Sequence, residues 1–365
     1  TNPSSMLTVA GDVLIEGYST VGNATTTYQT SKIFEGSSDG NGGYEGVMSM
    51  VVYDGNLYLG TYGTSAGDGD LIEWDGVTET VIHAGSQEGI YAMIVFDGNL
   101  YFGEGNGTGD NDIRYYDGSS VTATTDFASG SEYVSDFAIF NGQLYAAISG
   151  ASSDMAEVWR LQSDGTTWES AHNVDTENFF NRTQLLVHEG TMYVAYPDND
   201  TGQNDDEIHI YTTTDGDNWE LFGVVDVEND STPDAHAYEL IAYDNEIYLM
   251  VGAELAGGDD AQILGLSRIN HEDDNSFSAG GAERGEYFSS QSGDAADAVT
   301  AAHVHNGQLY FGEGITDGEG DVFRFTSPGG VEVIDFDNIN SVRSFATWND
   351  ELYIGIGASS GDRYV

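Results

Sequence analysis

A six-residue phrase recurs along this chain of 365 residues and constrains its fold more than any other feature. Each copy contains an aromatic residue or His, a two-residue turn pair, a polar residue, then Leu, Ile or Met, and finally Tyr. A pair such as Asp-Gly or Asn-Gly between apolar stretches is the strongest short-range signal for a β-hairpin turn. The seven copies are Tyr53–Tyr58, Phe96–Tyr101, Phe140–Tyr145, His188–Tyr193, Tyr243–Tyr248, His305–Tyr310 and Trp348–Tyr353.

Two further strands are predicted after each hairpin. A Gly- and Asp-rich loop leads to a third apolar stretch, and in most units a second Asp-Gly or Gly-Gly turn leads to a fourth. The third stretches begin at Asp70, Asp112, Glu157, Glu207, Gln262, Asp321 and Asp362. The tyrosines that end the phrases are separated by 43, 44, 48, 55, 62 and 43 residues. Four short antiparallel strands in each unit of this length are typical of a β-propeller blade, so we expect an all-β, seven-bladed propeller that forms one domain over residues 1–365.

The two ends of the chain are predicted to meet in the seventh blade. The last unit stops at Val365, after its third strand, and Ser31–Phe34 is expected to supply its fourth strand. Such pairing of the N- and C-terminal strands would remove an exposed sheet edge. The stretch Val9–Tyr18 resembles a decayed hairpin phrase. Eight blades, or seven blades with an extra N-terminal hairpin, therefore remain as alternatives.

A family resemblance rests on the third and fourth units. Glu157–Arg160 reads Glu-Val-Trp-Arg and is followed by Asp164–Trp168, Asp-Gly-Thr-Thr-Trp. Thr213–Trp219 resembles an Asp-box, although it is one residue shorter than the usual spacing. These motifs resemble those of kelch-like and sialidase-type propellers, and the resemblance extends over nearly the whole chain. The resemblance implies a fold rather than an activity, because such propellers include hydrolases, lyases, lectins and scaffolds.

The charge balance excludes several functions. Asp and Glu number 62 against 9 Lys and Arg, which gives a formal net charge of −53, and Lys32 is the only lysine. A basic surface for nucleic acid or for anionic lipid is therefore absent. There is no cysteine, which excludes disulfides and thiolate chemistry. An acid-rich, lysine-poor composition is typical of extreme halophiles, in which molar salt and its counter-ions shorten the Debye length to about 3 Å and screen the repulsion.

Two levels of residues are predicted at the mouth of the central channel, where propeller ligands commonly bind. Nine positions before the hairpin residue lie Glu45, Glu88, Glu132, Phe180, Ala235, Asp297 and Asn340. Three positions further along lie Met48, Tyr91, Ser135, Thr183, Tyr238, Thr300 and Arg343. Carboxylates and tyrosines suit a cation or a sugar, so Tyr91, Tyr238, Arg343 and Asp297 are the predicted ligand-binding residues. The alternative is that a chain with this charge carries acids everywhere, including here.

Catalysis is the weaker prediction. A sialidase needs an arginine triad, whereas only Arg182 and Arg343 map to inner strands. The catalytic candidates for a glycoside hydrolase or lyase are Glu88, Glu132, Glu104 and Glu313. The last two occur in identical Tyr-Phe-Gly-Glu-Gly phrases, which internal duplication explains more simply. Hydrolysis requires two carboxylates about 5–10 Å apart, a distance that sequence does not supply.

The sequence specifies no cofactor, and calcium or another cation is the candidate ion. Asp198–Glu207 and Asp317–Asp321 place many carboxylate and amide oxygens on Gly-containing turns, with Asp198, Asp200, Asp317 and Asp321 as the candidate ligands. Neither segment has the EF-hand spacing, and a halophilic surface loop has the same composition. His303 and His305 lie on one face of a predicted strand, and we interpret them as packed aromatic substitutes rather than as metal ligands.

The function predicted from these features is non-enzymatic recognition of a protein or glycan at a surface. Blades four to six carry long insertions, and loops on a rigid scaffold are where binding residues concentrate. The insertions are Asp198–Asp206, Asp226–Ala235, Glu254–Ala261 and Asn270–Ala296. The expected setting is extracellular, on a cell surface or on a virion as a spike or fibre. The alternative is an extracellular polysaccharide-active enzyme with carboxylates at the channel mouth.

Overall fold

The described part of the chain is built from β-strands and contains no α-helix. The computed structural model describes residues 6–10, 29–34, 46–63, 66–105, 112–126, 131–150, 156–173, 182–200, 205–226, 235–253, 262–266, 286–289, 298–314, 320–326, 330–334 and 341–357. Within these ranges no helix is long and apolar enough to cross a membrane.

The strands follow one another as the hairpin phrases predict. In the first half they are β1 (Met6–Ala10), β2 (Gln29–Phe34), β3 (Gly46–Tyr53), β4 (Asn56–Tyr62), β5 (Leu71–Trp74), β6 (Glu79–His83), β7 (Gly89–Phe96), β8 (Asn99–Gly105), β9 (Asp112–Tyr116), β10 (Val121–Asp126), β11 (Ser131–Phe140), β12 (Gln143–Gly150), β13 (Glu157–Leu161) and β14 (Trp168–Asn173). In the second half they are β15 (Gln184–His188), β16 (Thr191–Asp200), β17 (Asp205–Thr213), β18 (Glu220–Asp226), β19 (Ala235–Tyr243), β20 (Glu246–Ala253), β21 (Gln262–Gly265), β22 (Glu286–Ser289), β23 (Val299–His305), β24 (Gln308–Glu313), β25 (Val322–Phe325), β26 (Gly330–Ile334), β27 (Ser341–Trp348) and β28 (Glu351–Gly357).

Every described strand belongs to one of seven sets of four. Sets three to six, β11–β14, β15–β18, β19–β22 and β23–β26, are separate antiparallel sheets. Set one (β3–β6), set two (β7–β10) and set seven (β27, β28, β1 and β2) form one twelve-stranded sheet. They are joined there only by single pairs, Gly46 with Gly357 and Tyr62 with Gly89.

The hairpin turns have the conformation that their sequences predict. Both central residues have positive φ in every phrase, for example 48° at Asp54 and 87° at Gly55. This is the type I′ turn, which matches the twist of antiparallel strands. Even the pair Asn349 and Asp350 adopts it, with φ of 51° and 65°.

A β-bulge lies at the same repeat position in the first strand of six sets. The pairing register skips one residue there, and the skipped residues are Met48, Tyr91, Ser135, Tyr238, Thr300 and Arg343. They belong to the second level of residues predicted for the channel mouth. Because a bulge turns side chains away from the regular alternation, it decides which residues face the axis.

The set that contains both chain ends is assembled differently from the prediction. The third place, expected for residues from Asp362 onward, belongs to β1, which pairs with β28 in parallel. Residues Ser31–Phe34 do lie in the outermost strand, β2, but this strand is also parallel to its neighbour. A parallel pair needs a connection of about a dozen residues or more, and residues 11–28 between β1 and β2 are long enough. Residues 358–365 lie outside the described part of the chain.

Candidate functional site

A cavity of about 280 Å³ lies where the first strands of all seven sets meet. Each set contributes side chains from the same repeat positions, at or beside the bulge. Its polar and titratable lining includes Tyr91, Ser135, Asp136, Arg182, Tyr238, Glu239, Thr300, His303 and Arg343. One cavity is thus lined by residues at the first strand of every set. We call it the axial cavity.

Three of the four predicted ligand-binding residues line this cavity. Tyr91, Tyr238 and Arg343 line it, and all three are buried. Asp297 lies outside the described residues. The ring of Tyr91 lies 4.8 Å from that of Tyr133 and 5.8 Å from that of Tyr62, so a cluster of aromatic rings borders one side of the cavity.

Of the two glutamates predicted at the channel mouth, only Glu88 has a described side chain. Glu88 directly precedes β7 and is half-buried, and it is not among the residues that line the axial cavity. Burial raises the pKa of its carboxyl group, and the charge of Asp68 raises it further. Glu132 belongs to β11, but its side chain is not part of the described structure.

Two carboxyl groups in the cavity were missed by the sequence analysis. Asp136 and Glu239 each follow the bulged residue of their strand, so they occupy equivalent positions in sets three and five. Burial raises the pKa of Asp136 to about 7. Burial also raises the pKa of Glu239 well above its ordinary value, and the charge of Asp136 adds to that effect. Strongly perturbed acids in a cavity are candidates for a functional site.

Arg182 lies in set four, between the two sets that carry these acids. At its repeat position the other sets have the aliphatic residues Val47, Ile90, Val134, Ala237, Val299 and Val342. The Arg182 side chain is 7% exposed, and its guanidinium carbon lies 5.7 Å from the centroid of the Tyr238 ring. This is cation–π distance. Its positive charge acts on both Asp136 and Glu239 and partly offsets the effect of their burial on pKa.

Asp136 is held in place by the backbone. Phe137 N donates to its Oδ1 at 2.7 Å, and Leu185 N donates to its Oδ2 at 2.8 Å. The second hydrogen bond links set three to set four. Both carboxyl oxygens therefore have a structural role as well as facing the cavity.

Glu104 and Glu313 occupy equivalent positions in sets two and six, and neither lines the axial cavity. The fully buried Glu104 accepts from Arg114 Nε at 2.6 Å, and its other oxygen lies 2.8 Å from His83 Nε2. In set six the position of Arg114 is taken by Phe323, whose ring stacks on Phe311 at 5.2 Å. The repeated phrase thus has different surroundings in its two copies.

His303 and His305 share one hydroxyl partner. Their ring nitrogens lie 2.9 Å and 3.0 Å from Thr347 Oγ1, and His303 also lines the axial cavity. Burial, together with His305, lowers the pKa of His303 to about 4. His303 is therefore neutral near pH 7.

The predicted cation ligands lie mostly beyond what the structure describes. Asp198 and Asp200 are in the backbone of β16, without described side chains, and Asp317 lies outside the described ranges. The backbone carbonyl of Asp321 accepts from Glu313 N at 3.0 Å. Among the described residues, no three His, Asp or Glu side chains gather into a group that could hold a metal ion.

Comparisons with known proteins identify the fold. No protein-family model matches the sequence, and no curated protein matches it. The WD40 β-propeller domain of Doa1 is 12% identical, over 87% of this chain and 92% of that one, with a TM-score of 0.54. The chain has a β-propeller fold.

Two other solved structures are more loosely similar. The computationally designed Ika8 protein is 14% identical over 87% of this chain and 95% of that one, with a TM-score of 0.48. The α-L-arabinofuranosidase CtGH43 from Clostridium thermocellum is 15% identical over 64% of this chain and 92% of that one, with a TM-score of 0.37. Identities this low say nothing about activity.

Proposed function

We propose that this protein is a seven-bladed recognition propeller that presents loops to a protein or glycan partner at high salt, without catalysis. Its setting would be the surface of a halophilic cell or of a virion that infects one. Two observations support seven blades: every described strand falls in one of seven sets, and all seven first strands border one cavity. The net charge of −53 with one lysine supports the high-salt setting.

Contacts between blades seven and one support a closed ring. Ser344 Oγ donates to the carbonyl of Val47 at 2.9 Å, and Trp348 Nε1 donates to the carbonyl of Gly55 at 2.8 Å. In this proposal β1 and β2 complete the blade that β27 and β28 begin. Pairing strands from both ends of the chain protects the sheet edge.

The observation that carries the recognition function is the contrast between uniform blades and unequal connections. The same bulge recurs in the first strand of six blades, whereas the phrase tyrosines that bracket blades four to six are 48, 55 and 62 residues apart instead of 43 or 44. Doubling a loop costs only about 0.6 kcal/mol of closure entropy, so folding does not require the added length. Loops of this kind on a rigid scaffold are suited to binding.

Adsorption of fluorescently labelled protein to intact halophilic cells in molar salt tests this proposal. Residues 286–289 of the predicted insertion Asn270–Ala296 form β22, so the variant shortens only the connection between β21 and β22, residues 267–285. Reducing this connection to the length of the one between β9 and β10 should leave unfolding cooperative and abolish adsorption. The matched control is Glu88→Gln with Glu132→Gln, which should adsorb like the native protein. Loss of adsorption in the control, with adsorption retained after the loop is shortened, would contradict the proposal.

An enzyme is the second candidate, because Asp136 and Glu239 face one cavity. A carboxyl group whose pKa is raised toward 7 can act as a general acid at neutral pH. Against this role, both oxygens of Asp136 accept backbone hydrogen bonds. The discriminating assay is release of reducing ends from a panel of acidic and neutral polysaccharides. Activity that Glu239→Gln abolishes, in a variant with an unchanged unfolding midpoint, would favour the enzyme.

A further inference from the structure

Two of the five arginines in the described part of the chain line the axial cavity. Arg182 and Arg343 lie in blades four and seven and are only 7% and 4% exposed. Arg114, Arg160 and Arg324, by contrast, lie on third strands away from the axis. Burying a guanidinium group is costly unless an anion or strong hydrogen bonds compensate it. The chain has only nine Lys and Arg residues against 62 Asp and Glu. Two guanidinium groups in one cavity are therefore a local concentration of positive groups in an otherwise acidic protein.

The titratable groups that line this cavity are Tyr91, Asp136, Arg182, Tyr238, Glu239, His303 and Arg343. Burial, together with His305, lowers the pKa of His303 to about 4, so His303 adds no charge to the cavity near pH 6. Burial favours the protonated forms of Asp136 and Glu239. The cavity therefore holds two guanidinium groups beside two carboxyl groups whose charged forms burial disfavours, inside a protein whose overall charge is strongly negative.

We propose that the axial cavity is a binding site for a small hydroxycarboxylate. The guanidinium groups of Arg182 and Arg343 bind the carboxylate, because the planar fork of arginine matches two carboxylate oxygens. The carboxyl of Glu239 and the hydroxyl oxygens of Ser135 and Thr300 bind the ligand's hydroxyl groups. A volume of about 280 Å³ admits a small molecule rather than a polymer. The site is independent of the loops and does not rest on the recognition function.

Titration calorimetry at pH 6 and fixed ionic strength tests the site with three probes. D-gluconate carries the carboxylate and the hydroxyls, D-glucitol has the same chain without the carboxylate, and inorganic phosphate is an anion of another class. We expect gluconate to bind at least tenfold more tightly than either of the others. Equal binding of gluconate and glucitol, tighter binding of phosphate, or no binding of gluconate would overturn the proposal.

The arginine requirement has a matched control. Arg343→Gln should weaken gluconate binding at least tenfold, whereas Arg160→Gln should leave it unchanged. Arg160 lies on the third strand of blade three, where it is ion-paired with Glu169 at 2.6 Å and with Asp217 at 2.8 Å. Thermal unfolding checks the fold of each variant. Should Arg343→Gln not fold, Arg343→Lys keeps the charge without the fork, and native affinity in that variant would contradict the proposal.

The two buried acids provide a second readout. Raising the pH from 6 to 8 carries the carboxyl of Asp136 through its pKa of about 7 and should weaken gluconate binding by adding negative charge to the cavity. Glu239→Gln removes the second acid, whose pKa burial also raises, and should reduce this loss. An enzyme that uses Glu239 as an acid predicts loss of activity in the same variant, so the two roles separate. Shortening residues 267–285 should leave gluconate binding intact, so failure of this site and failure of loop recognition are distinguishable.

Discussion

Ser344 Oγ donates a hydrogen bond of 2.9 Å to the carbonyl of Val47, a residue 297 positions away in the sequence. The same kind of bond joins successive blades elsewhere, from Ser49 to Ile90 at 2.8 Å and from Ser135 to Thr183 at 2.7 Å. Thr300 makes it to Val342. A hydroxyl near the bulge thus ties one first strand to the next, and the Ser344 bond ties the last blade to the first.

Ser344→Ala should therefore lower stability. The substitution leaves the buried carbonyl of Val47 without this donor, which typically costs about 1–3 kcal/mol. Chemical denaturation measures the change. Ser120→Ala is the matched control, because the Ser120 hydroxyl is exposed and its loss should change stability by about 0.5 kcal/mol or less. Equal effects of the two substitutions would contradict a closing role for Ser344.

Sequence reasoning predicts the hairpins well and the axial site poorly. Turn pairs such as Asp54 and Gly55 encode their own backbone conformation, so local signals suffice. The bulge has no such local signal, and it moves the cavity acids one residue beyond the level that regular counting predicts. Asp136 and Glu239 were missed for this reason. Arg182 was detectable, since it stands where six other units have an aliphatic residue.

The order of strands in the last blade was also beyond local signals. Strand β1 pairs with β28 at opposite ends of the sequence, with Leu7 beside Leu352. No turn sequence connects these two strands, so no local signal specifies whether they run parallel or antiparallel. The outermost position of Ser31–Phe34 was predicted from the missing strand alone. Its parallel direction depends on the path of residues 11–28, which sequence pattern does not determine.

Gly103→Ala should disrupt the packing of blade two against blade three. A Cβ atom at Gly103 would overlap the Cβ of Val134, a fully buried residue of the next first strand. Overpacking of this kind costs about 1–3 kcal/mol. Gly98→Ala is the control, because open space surrounds Gly98 and only its φ of 78° is strained by a side chain. A smaller loss of stability for Gly103→Ala than for Gly98→Ala would contradict this packing.

Stability should reach its maximum near pH 4–5. The folded pKa of Asp136 is raised to about 7, so the folded state binds more protons than the unfolded state between that pH and its ordinary pKa, and stability falls as the pH rises through this window. Asp117 and Asp164 accept hydrogen bonds from backbone N–H groups and side-chain hydroxyls in their turns, which lower their pKa to about 2. Their contribution is present above about pH 4 and is lost as the pH falls toward 2.

Thermal unfolding measured from pH 3 to pH 8 checks this profile. Glu239→Gln removes an acid whose pKa burial raises, and it should make the decline with rising pH less steep while leaving the loss at low pH unchanged. A native profile in this variant would show that the cavity acids do not control stability in that range.

Salt should raise the unfolding midpoint steeply between about 0.1 M and 2 M KCl, because screening weakens the self-repulsion of a chain with net charge −53. KCl and NaCl should act alike if screening is the cause. A midpoint that stays constant over this range would remove the halophilic interpretation.

Glu104 distinguishes a structural carboxylate from a catalytic one. Its side chain is fully buried and its two oxygens contact Arg114 and His83, so Glu104→Gln leaves a guanidinium group without its counter-charge. Breaking a buried pair in this way costs about 3–5 kcal/mol, and the partial exposure of Arg114 places the expected loss at the lower end. Glu169→Gln breaks the more exposed pair with Arg160 and should cost about 1 kcal/mol or less.

Denaturation curves measure the loss of stability in both variants. Cell adsorption of any folded Glu104→Gln protein should equal that of the native chain. Unchanged stability combined with complete loss of a hydrolytic activity would instead make Glu104 catalytic, in conflict with its position away from the axial cavity.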